Sequence, residues 1–317
     1  MKNQILEKLK TLNSQKRNNL FLKYFINSHK TSNQITINHE TFQAEPIEII
    51  EAFIEAKTYI NIQNKNQENV LFYVRSKQIA KILIQAGADV HQKDNNGYTP
   101  LFYTKSKEIA EVLIQAGADV NSRDNYAEYT PLFFINMRPQ MGLLPLLSSD
   151  VKEITELLIR HGADVNLTYH FQRTALFYIN SKEIAELLIQ AGADVNAKDY
   201  NHNTPLFYAR SKELMETLLQ YGANVNVIDN SGNTLLHWQI SFSQENIELL
   251  IQHGADLNLK NNQNKTPAEW HRHFGNHELA DFIEQKTFEK TTKLDQEKLD
   301  QTLPKSPNHS NHSQYRL

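Results

Sequence analysis

Along the chain one arrangement of apolar and polar positions keeps returning. Apolar residues at helical spacing, as in Ile109, Val112 and Leu113, predict an amphipathic helix. That helix ends in the box Gln115-Ala116-Gly117-Ala118-Asp119-Val120, and the box recurs at Gln85–Val90, Arg160–Val165, Gln190–Val195, Gln220–Val225 and Gln252–Leu257. Its glycines, Gly87, Gly117, Gly162, Gly192, Gly222 and Gly254, are six of the chain's ten. Each is placed to end a helix in the left-handed conformation. At a fixed offset before the helices stand Ser76, Ser106, Ser181, Ser211 and Ser243, read as N-caps. Glu108, Glu153, Glu183, Glu213 and Glu245 then fall in the first turn, where the helix dipole favours negative charge.

A second, shorter helix opens each unit. Thr99-Pro100, Thr130-Pro131, Thr204-Pro205 and Thr266-Pro267 put a capping hydroxyl before a proline at the first helical position. Polar turns such as Asp94-Asn95-Asn96-Gly97 and Asp229-Asn230-Ser231-Gly232 suit protruding hairpin-like loops between units. The glycines are spaced by 30 residues in most steps, with one step of 45 and one of 32. A period in this range marks units that are stable only when stacked.

Thr-Pro-Leu, a helix pair, Gly-Ala-Asp-Val-Asn and Asp-x-x-Gly-x-Thr-Pro, recurring in register from about Thr41 to Glu284, resemble the ankyrin repeat. The resemblance implies an all-α ankyrin-repeat solenoid of about six to seven helix-turn-helix units with short hairpin-like loops. The chain departs from the family in two ways. Its 30-residue units are shorter than the usual length of about 33, and the missing residues fall between the two helices. Only the last unit, Thr266 to Glu278 with Gly275 in the turn, keeps the full spacing. The family's Thr-Pro-Leu-His histidine survives only at His237, and Phe72, Phe102, Phe133, Phe177 and Phe207 stand elsewhere, each followed by Tyr or Phe. These rings are read as a packed core ladder rather than a ligand site.

Three regions lie outside the regular pattern. Residues 1–35, with Ile5, Leu6, Leu9, Leu12, Leu20, Phe21 and Phe25 apolar, are expected to form an amphipathic helix or helix pair that caps the stack, a partner-docking role being the alternative. The repeat domain is assigned to 36–285, with 38–66 as a degenerate first unit in which Phe42 takes the Phe72 position and Ile47, Ile50, Phe53 and Ile54 form the outer helix. The insertion 137–150 in the third full unit carries Leu143, Leu144, Leu146 and Leu147. A loop this apolar either folds onto its own chain or presents a patch to a partner. Residues 286–317 are polar and expected to form a disordered tail.

Composition narrows the function. Lys and Arg number 33 against 36 for Asp and Glu, a formal net charge of -3. This balance gives no strong pull on nucleic acid or an anionic membrane, and no apolar run suggests a membrane span. The chain has no cysteine, so disulfides and thiolate metal sites are excluded and a cytoplasmic location is expected. No signal peptide is visible, although secretion by a system reading another signal would leave no trace.

Catalytic chemistry finds no support in the motifs. There is no Gly-rich phosphate loop, Gly-x-Ser-x-Gly elbow or cysteine nucleophile, so no catalytic residue, metal or cofactor is assigned. His277-Glu278-Leu279-Ala280-Asp281 is half of a zinc-protease helix, and the repeat pattern explains it equally well. His271, His273 and His277 lack a fixed ligand spacing. The expectation is a non-catalytic scaffold, monomeric by itself, that binds another protein. The rival class is an enzyme or metal protein using the stack as a targeting module. In ankyrin proteins partners dock on hairpin tips and the concave inner-helix face. The candidate contacts are therefore Tyr98, Tyr126, Tyr129, Tyr169, Phe171, Tyr200 and His202 at the tips, aromatic tip residues being enriched in binding hot spots, together with Leu143 and Leu144 of the insertion. The alternative is that some of these rings fold down over neighbouring turns.

Overall fold

The computed structural model describes residues 1–27, 33–137, 148–238 and 244–302. The chain forms two compact units, Met1–Tyr200 with Thr204–Ala223, and Asn201–Asn203 with Asn224–Leu317. Unit 1 opens with helices α1 (Lys2–Lys10) and α2 (Ser14–Asn27), strands β1 (Gln34–Ile37) and β2 (Glu40–Gln43), and helix α3 (Pro46–Glu55). The repeats of unit 1 then supply α4 (Lys77–Gln85), α5 (Lys107–Gln115), α6 (Pro131–Met137), α7 (Ser148–Arg160), α8 (Lys182–Gln190), α9 (Pro205–Tyr208) and α10 (Lys212–Gln220). Unit 2 holds α11 (Gln244–Gln252), α12 (Pro267–His273) and α13 (His277–Thr302).

The amino-terminal segment is a helix pair, as the amphipathic pattern suggests. Ile5 and Leu9 of α1, Phe21 and Phe25 of α2, and Ile49, Ile50 and Phe53 of α3 are buried together, with Phe21 and Phe53 rings 5.0 Å apart. The expected degenerate first unit is only half present. Its outer helix exists as α3, started by Pro46 and a Glu45–Glu48 capping box. Phe42, however, pairs with Ile35 across an antiparallel hairpin and does not stand on an inner helix. The two-residue turn Asn38-His39 has positive φ at both positions (49° and 70°), the backbone that tight hairpins require.

The outer helices follow the sequence pattern closely. All six box glycines have φ between 87° and 94°. Ser76, Ser181 and Ser211 accept hydrogen bonds from the amides of Ile79, Ile184 and Leu214. Ser106 stands at the cap position without making that bond, and Ser243 lies outside the described residues. In the third unit, where Val151 replaces the serine, α7 begins instead at Ser148. Glu153 is therefore past the first turn, and Asp150 takes the dipole position.

The opening helices differ from the expectation of a full helix pair, and unit length explains how. In the contracted units they shrink to one turn, Val70–Tyr73, Pro100–Tyr103, Ala175–Tyr178 and Pro205–Tyr208. The unit carrying the insertion and the last unit have room for two turns, in α6 and α12, of 7 residues each. The single turns close with three-residue bonds, Phe102 N–H to Thr99 O and Phe207 N–H to Thr204 O, both 3.0 Å. That bond uses the amide which the threonine hydroxyl would cap. The hydroxyls of Thr99, Thr174 and Thr204 accordingly have no hydrogen-bond partner among the described residues. In α12 the backbone bond moves on to Trp270, and Thr266 Oγ1 caps Glu269 as expected.

Within unit 1, a recurring aromatic contact joins each repeat to the next. The ring of Phe72 lies 5.6 Å from Tyr103, Phe102 5.7 Å from Phe134, Phe133 5.0 Å from Tyr178 and Phe177 5.7 Å from Tyr208. Phe102 and Phe133 are almost wholly buried. A second link comes from the asparagine that ends the box. Asn166 donates to Gly192 O (2.8 Å) and accepts from Asp194 N–H (2.9 Å) in the next repeat. Asn61 and Asn121 make the same pair of bonds, as does Asn226 within unit 2. His91 occupies this position in one repeat, and its ring carries donor and acceptor nitrogens pointing apart rather than side by side as in an amide.

The carboxyl-terminal boundary also moves. α13 does not stop at residue 285 but runs to Thr302. Lys286 pairs with Glu248 at 3.1 Å, and Lys290 Nζ donates to Ala255 O. The expectation of a disordered tail is thus corrected for 286–302, where Glu, Lys and Gln are good helix formers and no Gly or Pro interrupts. Residues 303–317 lie outside the described residues.

If the aromatic steps hold the repeats together, Phe102→Ala should cost about 3–5 kcal/mol in urea-monitored unfolding. Tyr103→Phe, which keeps the ring and removes only the hydroxyl, should cost about 1 kcal/mol. Unchanged midpoints in both would show that the ladder does not stabilise the stack.

Candidate protein-binding surface

All the tips but one are built around one short polar side chain. In the second tip Asp94 Oδ1 accepts the amides of Asn96 and Tyr98 (2.8 and 2.9 Å), and Oδ2 accepts the Tyr103 hydroxyl at 3.1 Å. The same clasp links Asp199 to Tyr208 (2.8 Å) and, in unit 2, Asp229 to Trp238 Nε1 (3.1 Å). Asn64 with Tyr73 is the amide version. In every case the aromatic partner lies nine residues after the turn residue, a spacing that sequence inspection could have found, although in the first of them Asn64 is the donor, from Nδ2 to the Tyr73 hydroxyl. The clasp ties the tip to the aromatic ladder. It also raises the Tyr103 hydroxyl pKa, through burial first and the Asp94 charge second.

Neighbouring tips are joined by backbone bonds, Asn95 N–H to Asn66 O and Asn125 N–H to Asn96 O, both 2.9 Å, and Tyr200 N–H to Phe171 O at 3.1 Å. Gly97 permits this approach. Its φ is 86°, and a Cβ there would lie 2.7 Å from the Asn125 amide nitrogen, so any side chain would both strain the turn and collide with the next tip.

The third and fourth tips break the pattern. Asp124 keeps its two turn amides on Oδ1, but Phe134 offers no donor. Its buried Oδ2 has no partner in hydrogen-bonding geometry among the described residues. The Tyr98 hydroxyl faces it, and the Asp124 charge adds to burial in raising the Tyr98 pKa. In the next tip Tyr169 fills the aspartate's place. Its ring lies 4.1 Å from Phe133, and its hydroxyl bonds Thr130 at 2.7 Å. Burial pushes its pKa up to about 12.

The proposed contact residues therefore separate into two groups. Tyr169 is only 5% exposed, so its assignment to a partner contact is corrected: the ring fills the gap under the tip. Tyr98 packs on Phe102 and Phe134, and Tyr129 stacks on Phe133 at 4.4 Å and 14°. Both are half-buried. Tyr126 is 76% exposed, Tyr200 59% and Phe171 49%. His202, in unit 2, is also exposed, with φ of 62°. Leu143 and Leu144 lie outside the described residues.

Phe171 sits on a constrained loop. Tyr169 and Arg173 form an isolated antiparallel bridge, and between them Phe171 and Gln172 both have positive φ, 66° and 60°. Side chains other than glycine adopt this backbone at a cost of about 1–3 kcal/mol each, and such strain clusters at binding sites. Arg173 braces the loop. Its guanidinium lies 4.3 Å from the centre of the Tyr208 ring and 5.6 Å from Phe171. Its Nε donates to Asp199 Oδ2 at 3.0 Å. Sequence inspection did not single out Arg173, because its partners come from the following repeat.

No group of three or more His, Asp or Glu among the described residues is arranged to hold a metal. His271 is buried and donates to Leu236 O, away from any ligand cluster. No helix among the described residues is long and apolar enough to cross a membrane.

Arg173→Ala should destabilise the protein by about 3–5 kcal/mol, because the Asp199 side chain, 1% exposed, would lose its counter-charge in a buried place. Arg173→Lys should recover only part of that, since an ammonium cannot reproduce the planar stacking on Tyr208. Equal melting temperatures for wild type and both variants would refute the bracing role.

A family profile described as Ankyrin repeats (3 copies) matches the chain over residues 38–124, 147–229, 180–261 and 210–293. No curated protein matches it. The matched stretches cover most of the chain and coincide with the boxes, tips and outer helices described above, and the protein belongs to the ankyrin-repeat family.

Proposed function

We propose that this protein is a non-catalytic recognition scaffold whose partner, another protein, docks on the tips of unit 1. Ankyrin repeats are in general protein–protein interaction modules. The observation that carries the reading here is the exposure of three aromatic rings, Tyr126, Phe171 and Tyr200, on tips held by turn-amide bonds to Asp124, by the Arg173 brace beside Phe171 and by the Asp199 clasp beside Tyr200. Large apolar rings on rigid turns lose little freedom on binding and are the residue types that dominate interface energy. Tyr98 and Tyr129 support this surface from beneath. The inner-helix face beside it, lined by the half-buried Tyr73, Tyr103, Tyr178 and Tyr208, extends the contact area. Inhibition of an enzyme, assembly of a complex and delivery as an effector are all uses of such a scaffold. Near-neutral net charge favours a protein over a nucleic acid as partner, and a chain without cysteine suits the cytoplasm.

The test is the triple variant Tyr126→Ser, Phe171→Ser, Tyr200→Ser, compared with wild type in affinity capture from the cell of origin. Melting temperature should change little, because these rings stand outside the ladder. Proteins retained by wild type should be lost, with affinity falling at least about tenfold, the effect of removing one or more hot-spot anchors. Identical capture by a folded triple variant would place the interface elsewhere.

A further inference from the structure

Unit 2 carries two buried histidines that the recognition function does not use. His237 and His271 are each 1% exposed. His237 closes the single turn Leu235–His237. Its Nδ1 accepts from the Thr234 amide (3.1 Å) and meets the Thr234 hydroxyl at 2.9 Å, while its Nε2 donates to Lys265 O at 3.1 Å. His271, on α12, donates from Nε2 to Leu236 O at 2.8 Å. Its Nδ1 is buried and has no hydrogen-bond partner among the described residues. The two imidazoles thus cross-link the single turn and α12 through opposite strands of the same packing: His237 reaches the loop before α12, and His271 reaches back to the turn.

We propose that this pair makes unit 2 acid-labile, so that the packing of Leu235–His237 against α12 opens selectively as the pH falls through the range in which free histidine takes up a proton. Each ring is held neutral by geometry. A proton on His237 Nδ1 would point at a backbone N–H that already donates to it. A proton on His271 Nδ1 would be buried without an acceptor among the described residues, a costly arrangement.

The surrounding charges do not relieve this. Asp229 is the one carboxylate that favours protonation of His237, whereas His271 opposes it, and burial outweighs both. The other ionisable groups on α12 and the adjoining part of α13 are engaged elsewhere: Glu269 caps Thr266, and Arg272 pairs with Asp281 and Glu284. His273, on the same helix, is exposed. Burial lowers the pKa of both rings, against the pull of the carbonyls they donate to. The sign follows: above the ordinary histidine value of about 6.5 folding costs nothing at these rings. Below it the opened state binds protons that the folded state refuses, so stability falls with falling pH.

Histidines of unit 1 are placed differently. His39, His91, His161 and His170 are exposed, and His161 donates from Nδ1 to Leu157 O.

Native-state hydrogen exchange on the full chain at pH 7.5 and 5.5, corrected for intrinsic exchange rates, tests the proposal. Opening of the amides of Leu236, His237 and Trp270 should rise by about tenfold for each histidine, about 100-fold for the pair, while amides of α8 and α10 change little. His237→Asn with His271→Gln keeps an acceptor and a donor at these places and should remove the difference. Should that variant not fold, ring-proton titration of wild type decides: His237 and His271 should stay neutral at pH 5.5. Ordinary titration of the buried pair, or equal loss of protection in both units, would overturn the proposal.

Discussion

The contact on which unit 1 depends is the step from a phenylalanine in one repeat to the tyrosine or phenylalanine of the next. Ankyrin units of the usual length place a histidine at the first of these positions, and this chain keeps it only at His237. Elsewhere the contraction to 30 residues leaves an opening helix of a single turn, too short to support a threonine cap. The lost polar bonds leave buried hydroxyls at Thr99, Thr174 and Thr204, each a cost to folding. Burial of two rings per repeat offsets that cost, since aromatic side chains bring large apolar area and a further favourable ring–ring term.

The ladder also organises the surface. Because Tyr103 and Tyr208 present their hydroxyls to Asp94 and Asp199, the core residue and the tip are one hydrogen-bonded unit. The same aspartates bind turn amides, so tip conformation follows from core packing. Where the aspartate is replaced, as at Tyr169, the ring itself descends into the gap and the tip above it is rebuilt with Phe171 and Gln172 in left-handed conformations. The exposed rings of Tyr126, Phe171 and Tyr200 remain after the other tip tyrosines, Tyr98, Tyr129 and Tyr169, have been drawn into packing.

Much of this was legible in the sequence, because the repeat states its own register six times. The box glycines, the serine caps at 76, 181 and 211 and the Phe ladder all follow from residue type and period. Three features were harder to see, each for a physical reason. The fate of Tyr169 depended on counting from the box valine, which puts it in the aspartate column, and composition alone made it another tip aromatic. The strand character of Phe42 came from a turn with two left-handed residues, Asn38 and His39, neither of them glycine. The extension of α13 to Thr302 is set by helix propensity and by Lys286 and Lys290 anchoring to the body of unit 2, whereas its polar composition alone suggested disorder.

A double-mutant cycle on Phe72 and Tyr103, each changed to Leu singly and together, tests the inter-repeat step most directly. The pair joins consecutive repeats with rings 5.6 Å apart. Urea unfolding of the four proteins should give a coupling of about 0.5–1.5 kcal/mol, with the double variant less destabilised than the sum of the singles. Strict additivity would mean that the two rings stabilise their own repeats independently, and that the repeats are held together by something other than the aromatic ladder.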